Sequence, residues 1–152
     1  MRADYGAVAI DIVRESLTCG DTVRLCVETG SMTPFICAGD AVSVRQVSPA
    51  QLKRGDVLVY SSGKRIFVHR LLSRHNRQLI VKGDRCRLCD GPVPSAQVLG
   101  KVVAVTKPYV RLNLEHGLWV ALGLCAAWCS YVESRLYRFL RPERAAIPDG
   151  SG

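Results

Sequence analysis

Acidic and aromatic residues are scarce in this chain of 152 residues, and no long apolar run occurs near its start. Aspartate and glutamate number 13 against 21 lysines and arginines, and aromatic residues make up 7%. Five charges interrupt the first residues, MRADYGAVAIDIVRES, before they reach the roughly 7 apolar residues of a signal-peptide core. The sequence therefore predicts no cleavable export signal.

The shortage of acids leaves a formal charge of +8, which favours an anionic partner such as nucleic acid or a membrane surface. No helix-turn-helix pattern is visible over 1–27, no zinc-finger spacing occurs, and the basic residues outside the C-terminal part are dispersed. No nucleic-acid partner is therefore predicted, although a basic nucleic-acid-binding regulator remains an alternative function. A membrane surface is the expected partner.

The chain has an odd number of cysteines, seven, which are scattered from Cys19 to Cys129. This number excludes a fully paired disulfide scaffold and predicts reduced thiols. Cys86-x-x-Cys89 has no second ligand pair in sequence reach, so neither a structural zinc site nor a cofactor is predicted. The pair remains a weak metal candidate, a redox-closed loop or two plain thiols in a turn. Cys125 and Cys129 are predicted to be small buried residues of a helix.

Only one segment is strongly apolar, and it is short. Residues 117–132 form a run of 16, below the roughly 20 that cross a bilayer as a straight helix. The stretch that follows carries Arg135, Arg138 and Arg141 with apolar residues between them. The pattern over 115–141 predicts an apolar and basic helix that contacts an anionic membrane surface, with core packing or a true span as alternatives. Residues 142–152 are predicted to be a disordered tail.

Short β-type runs separated by turn signals fill the region from 22 to 114. A short helix is predicted over 7–17, within an N-terminal segment of residues 1–21, and a capped helical turn at 48–52. The fold class is therefore mainly β with one C-terminal amphipathic helix. The predicted strands are 22–28, 41–47, 56–60, 65–72, 78–82, 98–106 and 109–114.

A Gly-Asp pair recurs at three turns between these predicted strands. At each pair, glycine can take a positive φ and aspartate can bond the backbone of the turn. The recurrence predicts a coil of similar β units rather than a long-repeat solenoid. The three pairs are Gly39-Asp40, Gly55-Asp56 and Gly83-Asp84.

Residues with the chemistry of a serine hydrolase occur in three separate segments. Ser31 follows Gly30 and is closed off by a proline, which presents its hydroxyl on a constrained turn. His69 lies in an apolar run, where an imidazole can take a serine proton near neutral pH. A carboxylate on its far nitrogen, from Asp84 or Asp90, would fix the tautomer of that base. Each residue also has a plain structural interpretation, as a turn residue, a strand histidine or a turn cap.

Six short blocks, taken in order, resemble the signal peptidase I superfamily. The likeness covers roughly residues 28–106. It is closest to the histidine-containing branch of endoplasmic-reticulum, archaeal and some bacterial signal peptidases, because His69 stands where the familiar bacterial enzymes have lysine. The related self-cleaving repressor peptidases use a serine-lysine pair and fit less well. The blocks are GSMTP at 30–34, AGDAVSV at 38–44, RGDVLVY at 54–60, VHR at 68–70, KGD at 82–84 and VLGKV at 98–102.

The resemblance implies a small signal-peptidase-like or repressor-peptidase-like catalytic β domain over 22–114. It implies acyl transfer in which Ser31 attacks a peptide carbonyl while His69 takes and returns the proton. Asp90 matches the family's acid, and Asp84 is the second choice. The Ser31 N–H would serve as an oxyanion donor. The residues implied to act in the site or to shape it are Ser31, His69, Asp90, Asp84, Gly30 and Met32.

The substrate that this resemblance implies is an exported precursor, bound as an extended peptide and cut after small residues at a bacterial or archaeal plasma membrane. Typical members have a transmembrane anchor before the serine, whereas residues 1–30 are too polar for one. This departure predicts a specialised processing enzyme, with a site on the cytoplasmic face or with a membrane-anchored partner. A β domain that binds peptides or membranes without catalysis is the alternative function.

Overall fold

An antiparallel sheet dominates the computed structural model, which describes residues 5–140. Its eight strands pair in the order β1-β2-β7-β3-β4-β5-β6, and β8 pairs with β7 beside this path. The predicted mainly β fold class is confirmed. The strands are β1 (Val23–Cys26), β2 (Ala41–Arg45), β3 (Val57–Ser62), β4 (Arg65–His75), β5 (Gln78–Lys82), β6 (Val93–Pro94), β7 (Val98–Thr106) and β8 (Arg111–Asn113).

Two helices flank the sheet, α1 (Tyr5–Thr18) and α2 (Gly117–Leu140). The first lies where the pattern over 7–17 predicts a helix, and the second is the predicted C-terminal helix. Strand β4 continues three residues beyond its predicted end, and the two-residue strand β6 was not predicted because its valine and proline carry no periodic pattern. Arg141 and the predicted disordered tail, 142–152, lie outside the described residues.

Alternation along the strands divides the core between the two faces of the sheet. Val59 belongs to a cluster that α1 covers with Ile10, Val13 and Leu17, which are spaced to lie on one side of a helix. The next residue, Tyr60, points the other way and belongs to a second cluster. His69 of β4 pairs with Leu58, which belongs to the same second cluster. The candidate base therefore lies on the face of the sheet opposite α1.

The Gly-Asp turns are alike at two of their three positions. Gly39 and Gly55 have φ values of 90° and 91°, and the carboxylate of the following aspartate accepts a backbone N–H three residues earlier at 2.8 Å in both turns. Gly83 does not have a positive φ, so the prediction of three similar turns is wrong for this one. Gly83 instead lies where the backbone after β5 passes close to Ser31.

The inner face of α2 contacts the β domain closely at two places. A Cβ added to Gly123 would lie 3.1 Å from the carbonyl oxygen of Gly55. Lys82 is fully buried, and its Nζ donates to Glu133 Oε2 at 2.7 Å and to the Ser130 carbonyl at 3.4 Å. A buried ammonium requires such partners, because leaving it unpaired away from water is costly. These contacts fix α2 against β4 and β5.

The outer face of α2 is apolar and exposed. Cys125 and Cys129 are also exposed, so the prediction that they are buried is wrong, whereas Ala127 and Ser130 of the same helix are buried. Within residues 5–140, no helix combines the length and the apolar character that crossing a bilayer requires. The large exposed apolar side chains of α2 include Leu118, Leu124, Trp128, Val132 and Leu136.

Candidate active site

Ser31, His69 and Asp90, which are far apart in the sequence, come together in the structure. The Ser31 Oγ lies 3.3 Å from His69 Nε2. The other ring nitrogen, Nδ1, is hydrogen-bonded to Asp90 Oδ2. His69 is buried, whereas the Asp90 side chain is 37% exposed. The arrangement has the order of a serine–histidine–carboxylate triad, in which each group can act on the next.

The turn that carries Ser31 is held from both sides. The Thr33 N–H donates to the Gly30 carbonyl at 3.2 Å, and the Arg85 N–H donates to the Ser31 carbonyl at 2.9 Å. Met32 is 1% exposed and belongs to the core cluster under α1. Among residues 5–140, no backbone carbonyl accepts the Ser31 N–H. Gly30 thus closes the turn that carries Ser31, and Met32 anchors it in the core.

The base and the acid are fixed by the sheet. His69 lies in the middle of β4 and pairs with Leu58 of β3. Asp90 follows β5, and its N–H donates to the Val81 carbonyl at 2.9 Å, which ties the loop 83–92 to the strand. Backbone hydrogen bonds at both residues hold the imidazole and the carboxylate in register. Rigid elements of this kind give a site more precise geometry than loops alone.

Hydrogen bonding assigns the proton of the imidazole. An ionised carboxylate only accepts, so the Nδ1–H of His69 donates to Asp90 and leaves the Nε2 lone pair facing Ser31. Burial alone would raise the pKa of the Asp90 carboxyl, but the hydrogen bond and charge of His69 and the hydrogen bond from Tyr60 outweigh burial and lower that pKa. Asp90 is therefore ionised near neutral pH and can orient the base.

Tyr60 is a fourth member of the site, and the sequence pattern did not single it out. Its hydroxyl donates to Asp90 Oδ2 at 2.8 Å and lies 3.2 Å from His69 Nδ1. Burial, followed by the interaction with the Asp90 carboxylate, raises the pKa of Tyr60 above its usual range, so the phenol stays a donor. The register of β3 and β4 would have indicated it, because Tyr60 pairs with Phe67 and is therefore diagonal to His69 on the neighbouring strand.

Gly83 occupies a narrow space between the candidate nucleophile and the base. A Cβ added there would lie 2.8 Å from the Ser31 carbonyl oxygen, 3.1 Å from His69 Nε2 and 2.7 Å from Cys86 Sγ. Real Cβ atoms essentially never come within 3.0 Å of such atoms. The glycine therefore permits the backbone after β5 to approach the site.

Asp84, the second-choice acid, lies elsewhere. Its two carboxylate oxygens accept from Nε and Nη2 of Arg70 at 2.8 and 2.7 Å, in a bidentate ion pair whose side chains are both less than a tenth exposed. Arg70 also donates from Nη1 to the Gly55 carbonyl at 2.9 Å. Asp84 thus positions the segment beside Gly83, and of the two aspartates it is Asp90 that contacts His69.

Both cysteines of the 86–89 pair are half-buried. Burial, and next the nearby Asp90 carboxylate, raise the pKa of the Cys86 thiol despite an opposing effect of Lys82. A raised pKa disfavours the reactive thiolate. Over the part of the chain that the structure describes, no group of three or more histidine, cysteine or acidic side chains is arranged to hold a metal ion.

Comparison of the sequence with protein-family models and with curated proteins finds no match.

Proposed function

We propose that the chain is a serine endopeptidase of the signal-peptidase type. The observation that carries this proposal is the alignment of the Ser31 Oγ, the His69 ring and the Asp90 carboxylate, with 3.3 Å between Oγ and Nε2. A buried neutral imidazole needs a partner for each ring nitrogen, and in a purely structural role any polar groups would serve. Here both ring nitrogens face groups with roles in acyl transfer, and one of those groups is a serine hydroxyl on a tight turn.

The reaction proceeds through an acyl-enzyme. The Ser31 Oγ attacks the peptide carbonyl carbon while its proton passes to His69 Nε2, and the carbonyl oxygen becomes an oxyanion near the Ser31 N–H. The C–N bond then breaks as His69 returns the proton to the leaving amine. Water, deprotonated by the same nitrogen, hydrolyses the ester and regenerates Ser31. Asp90 stays ionised and stabilises the imidazolium during both steps.

The substrate class rests on the resemblance of the sequence blocks to signal peptidases. The proposed substrate is an extended precursor peptide with small residues near the cut, and the close approach of the backbone at Gly83 to Ser31 and His69 leaves little room for large ones. The membrane surface is the proposed second partner, since the outer face of α2 exposes Trp128, Val132 and Leu136. The site would then work on precursors that are held at the same surface.

A peptide-library digest tests the proposal. Purified chain is incubated with a mixture of extended peptides that carry small residues, and new termini are identified by mass spectrometry. We expect a defined set of cleavages that disappears in Ser31→Ala and persists in Ser62→Ala, an exposed serine at the end of β3. If the wild-type chain and Ser31→Ala both bind the library but the wild type cleaves no peptide, the β domain is a peptide adaptor and the peptidase proposal fails.

A further inference from the structure

A cavity of about 480 Å³ lies between the first half of α2 and the β domain. Its lining is mixed: apolar side chains, among them Leu112 and Leu114 on the β8 side and Trp119, Leu122 and Leu124 on the helix, stand beside charged ones. The volume lies within the range of about 300–1,000 Å³ that is usual for small-molecule sites. Its residues have no part in the triad, so this site is separate from the peptide-cleaving one.

The charged residues around this cavity leave an excess of positive charge. Two of the cations are neutralised within the rim, because Arg45 pairs with Glu115 at 2.6 Å and Lys101 pairs with Asp56 at 2.9 Å. A third, Arg70, is taken by its bidentate ion pair with Asp84. The remaining cations of the lining are Lys53 and Arg54.

Arg54 is held in place by aromatic rings rather than by an acid. Its guanidinium carbon lies 4.8 Å from the ring centroid of Trp128 and 5.1 Å from that of Tyr131. Within residues 5–140, neither Nε nor Nη2 of Arg54 has a hydrogen-bond partner. Stacking on two rings attracts and orients the guanidinium, but no carboxylate within the described residues pairs with it. The cavity therefore combines apolar side chains with a fixed cation that no described carboxylate neutralises.

We infer that the cavity binds an anionic amphiphile, with its acyl chain between α2 and β8 and its carboxylate or phosphate at Arg54 and Lys53. The apolar side chains suit an alkyl chain, because each buried CH₂ contributes roughly 0.8 kcal/mol. The excess positive charge selects an anionic headgroup over an uncharged one. A free fatty acid and a membrane phospholipid share this chemistry. The inference does not depend on peptidase activity.

Binding of dodecanoate to the full chain in solution, below the micelle concentration, provides the test. We expect saturable binding with a stoichiometry of one, followed by tryptophan fluorescence, and an affinity for dodecanol that is weaker by about tenfold or more. Arg54→Gln should remove most of this difference between the two ligands. Val132→Ser, on the outer face of α2, is the matched control and should bind dodecanoate as the wild type does. Equal affinity for dodecanoate and dodecanol would overturn the inference.

Two further measurements locate the ligand. Leu114→Trp fills the cavity and should abolish binding. In the wild-type chain, a diazirine-bearing fatty acid should crosslink within residues 112–124, and crosslinks confined to 132–136 would contradict the inference. Vesicles of anionic phospholipid then separate the two sources. If Leu114→Trp weakens vesicle binding, the ligand is a membrane lipid, and if it weakens dodecanoate binding alone, the ligand is a free fatty acid.

Discussion

At the scale of single residues, Gly83 has the narrowest tolerance in the site. Gly83→Ala would force the Ser31 turn or the His69 ring to move, because the new Cβ would lie 2.8 Å from the Ser31 carbonyl oxygen. We expect kcat/KM for a cleaved peptide to fall roughly 100-fold, since a displacement of about 1 Å has that effect on reacting groups. Steady-state kinetics on the purified variants measures this change.

The control for this substitution lies in the same loop. Gly91 has no heavy atom within 4 Å of an added Cβ, and its φ is not positive. Gly91→Ala should therefore keep kcat/KM near the wild-type value. Equal activity of the Gly83 and Gly91 variants would show that the close approach at Gly83 does not matter to the reaction.

Asp90 gives stability a predictable dependence on pH. The pKa of its carboxyl is lower in the folded chain than the ordinary value of 3.8. Its stabilising effect is therefore fully present above pH 3.8 and is lost as the pH falls through the lower folded value. The difference in unfolding free energy between the wild type and Asp90→Asn should shrink between about pH 5 and pH 2, as measured by urea denaturation.

Asp11→Asn, on the exposed side of α1, serves as the control for this titration. Its difference from the wild type should change less over the same range. A constant difference for Asp90→Asn would mean that the carboxyl is not held by His69 and Tyr60 in solution.

The residues of the candidate triad could be predicted from the sequence because their types and order are informative. Ser31 on a turn and His69 in an apolar strand each have an ordinary structural interpretation, and only their order along the chain, together with the aspartates, singles them out. Tyr60 could not be predicted in the same way, because a tyrosine in a buried strand is ordinary core material. Only the β3–β4 register, with Leu58 opposite His69, places its hydroxyl at Asp90.

At the scale of elements, the attachment of α2 includes an ion pair between the buried Lys82 and Glu133, whose side chain is 55% exposed. Glu133→Ala would leave the fully buried Lys82 ammonium with the Ser130 carbonyl at 3.4 Å. We expect the free energy of unfolding to fall by about 1–3 kcal/mol, the usual cost of an unsatisfied buried polar group. Chemical denaturation measures this loss.

A second substitution separates charge burial from lost packing. Lys82→Met in the Glu133→Ala background removes the uncompensated charge and keeps an apolar side chain, so part of the lost stability should return. If the double variant is less stable than Glu133→Ala by the full effect of Lys82→Met alone, the two residues do not interact.

Local sequence patterns predicted most strands and turns, but they did not predict the side-chain contacts between them. Alternating apolar residues locate β2, β5 and β7 closely, and glycine with aspartate marks the turns at 39–40 and 55–56. The same pair at 83–84 has another role, since Asp84 bonds the side chain of Arg70 instead of its own turn. That pairing joins β4 to the loop that follows β5, across the hairpin of β4 and β5, and a motif of two residues contains no information about it.

At the scale of the whole molecule, the exposed apolar face of α2 and the net charge of +8 act together. We expect the chain to sediment with vesicles rich in anionic lipid and to be released as salt increases, because salt screens the attraction between the protein's cations and the lipid headgroups. Neutral vesicles should retain much less protein. A sedimentation assay at low and high ionic strength measures both effects.

Two substitutions test whether the exposed apolar face of α2 binds the vesicles. Val132→Asp places a charge on the exposed apolar side of the helix and should reduce vesicle binding, whereas Val8→Asp, on the exposed side of α1, should not. Equal binding by the two variants would contradict the proposed role of α2.

The central claim is that Ser31 and His69 act as one unit on a peptide bond. A double-mutant cycle on a cleaved peptide tests it most directly, with kcat measured for Ser31→Ala, for His69→Ala and for both together. Each single substitution should lower kcat by at least about 10³-fold, and the double variant should be no slower than the singles, because the two residues share one proton-transfer step. Independent losses that multiply, or full turnover in either single variant, would contradict the claim.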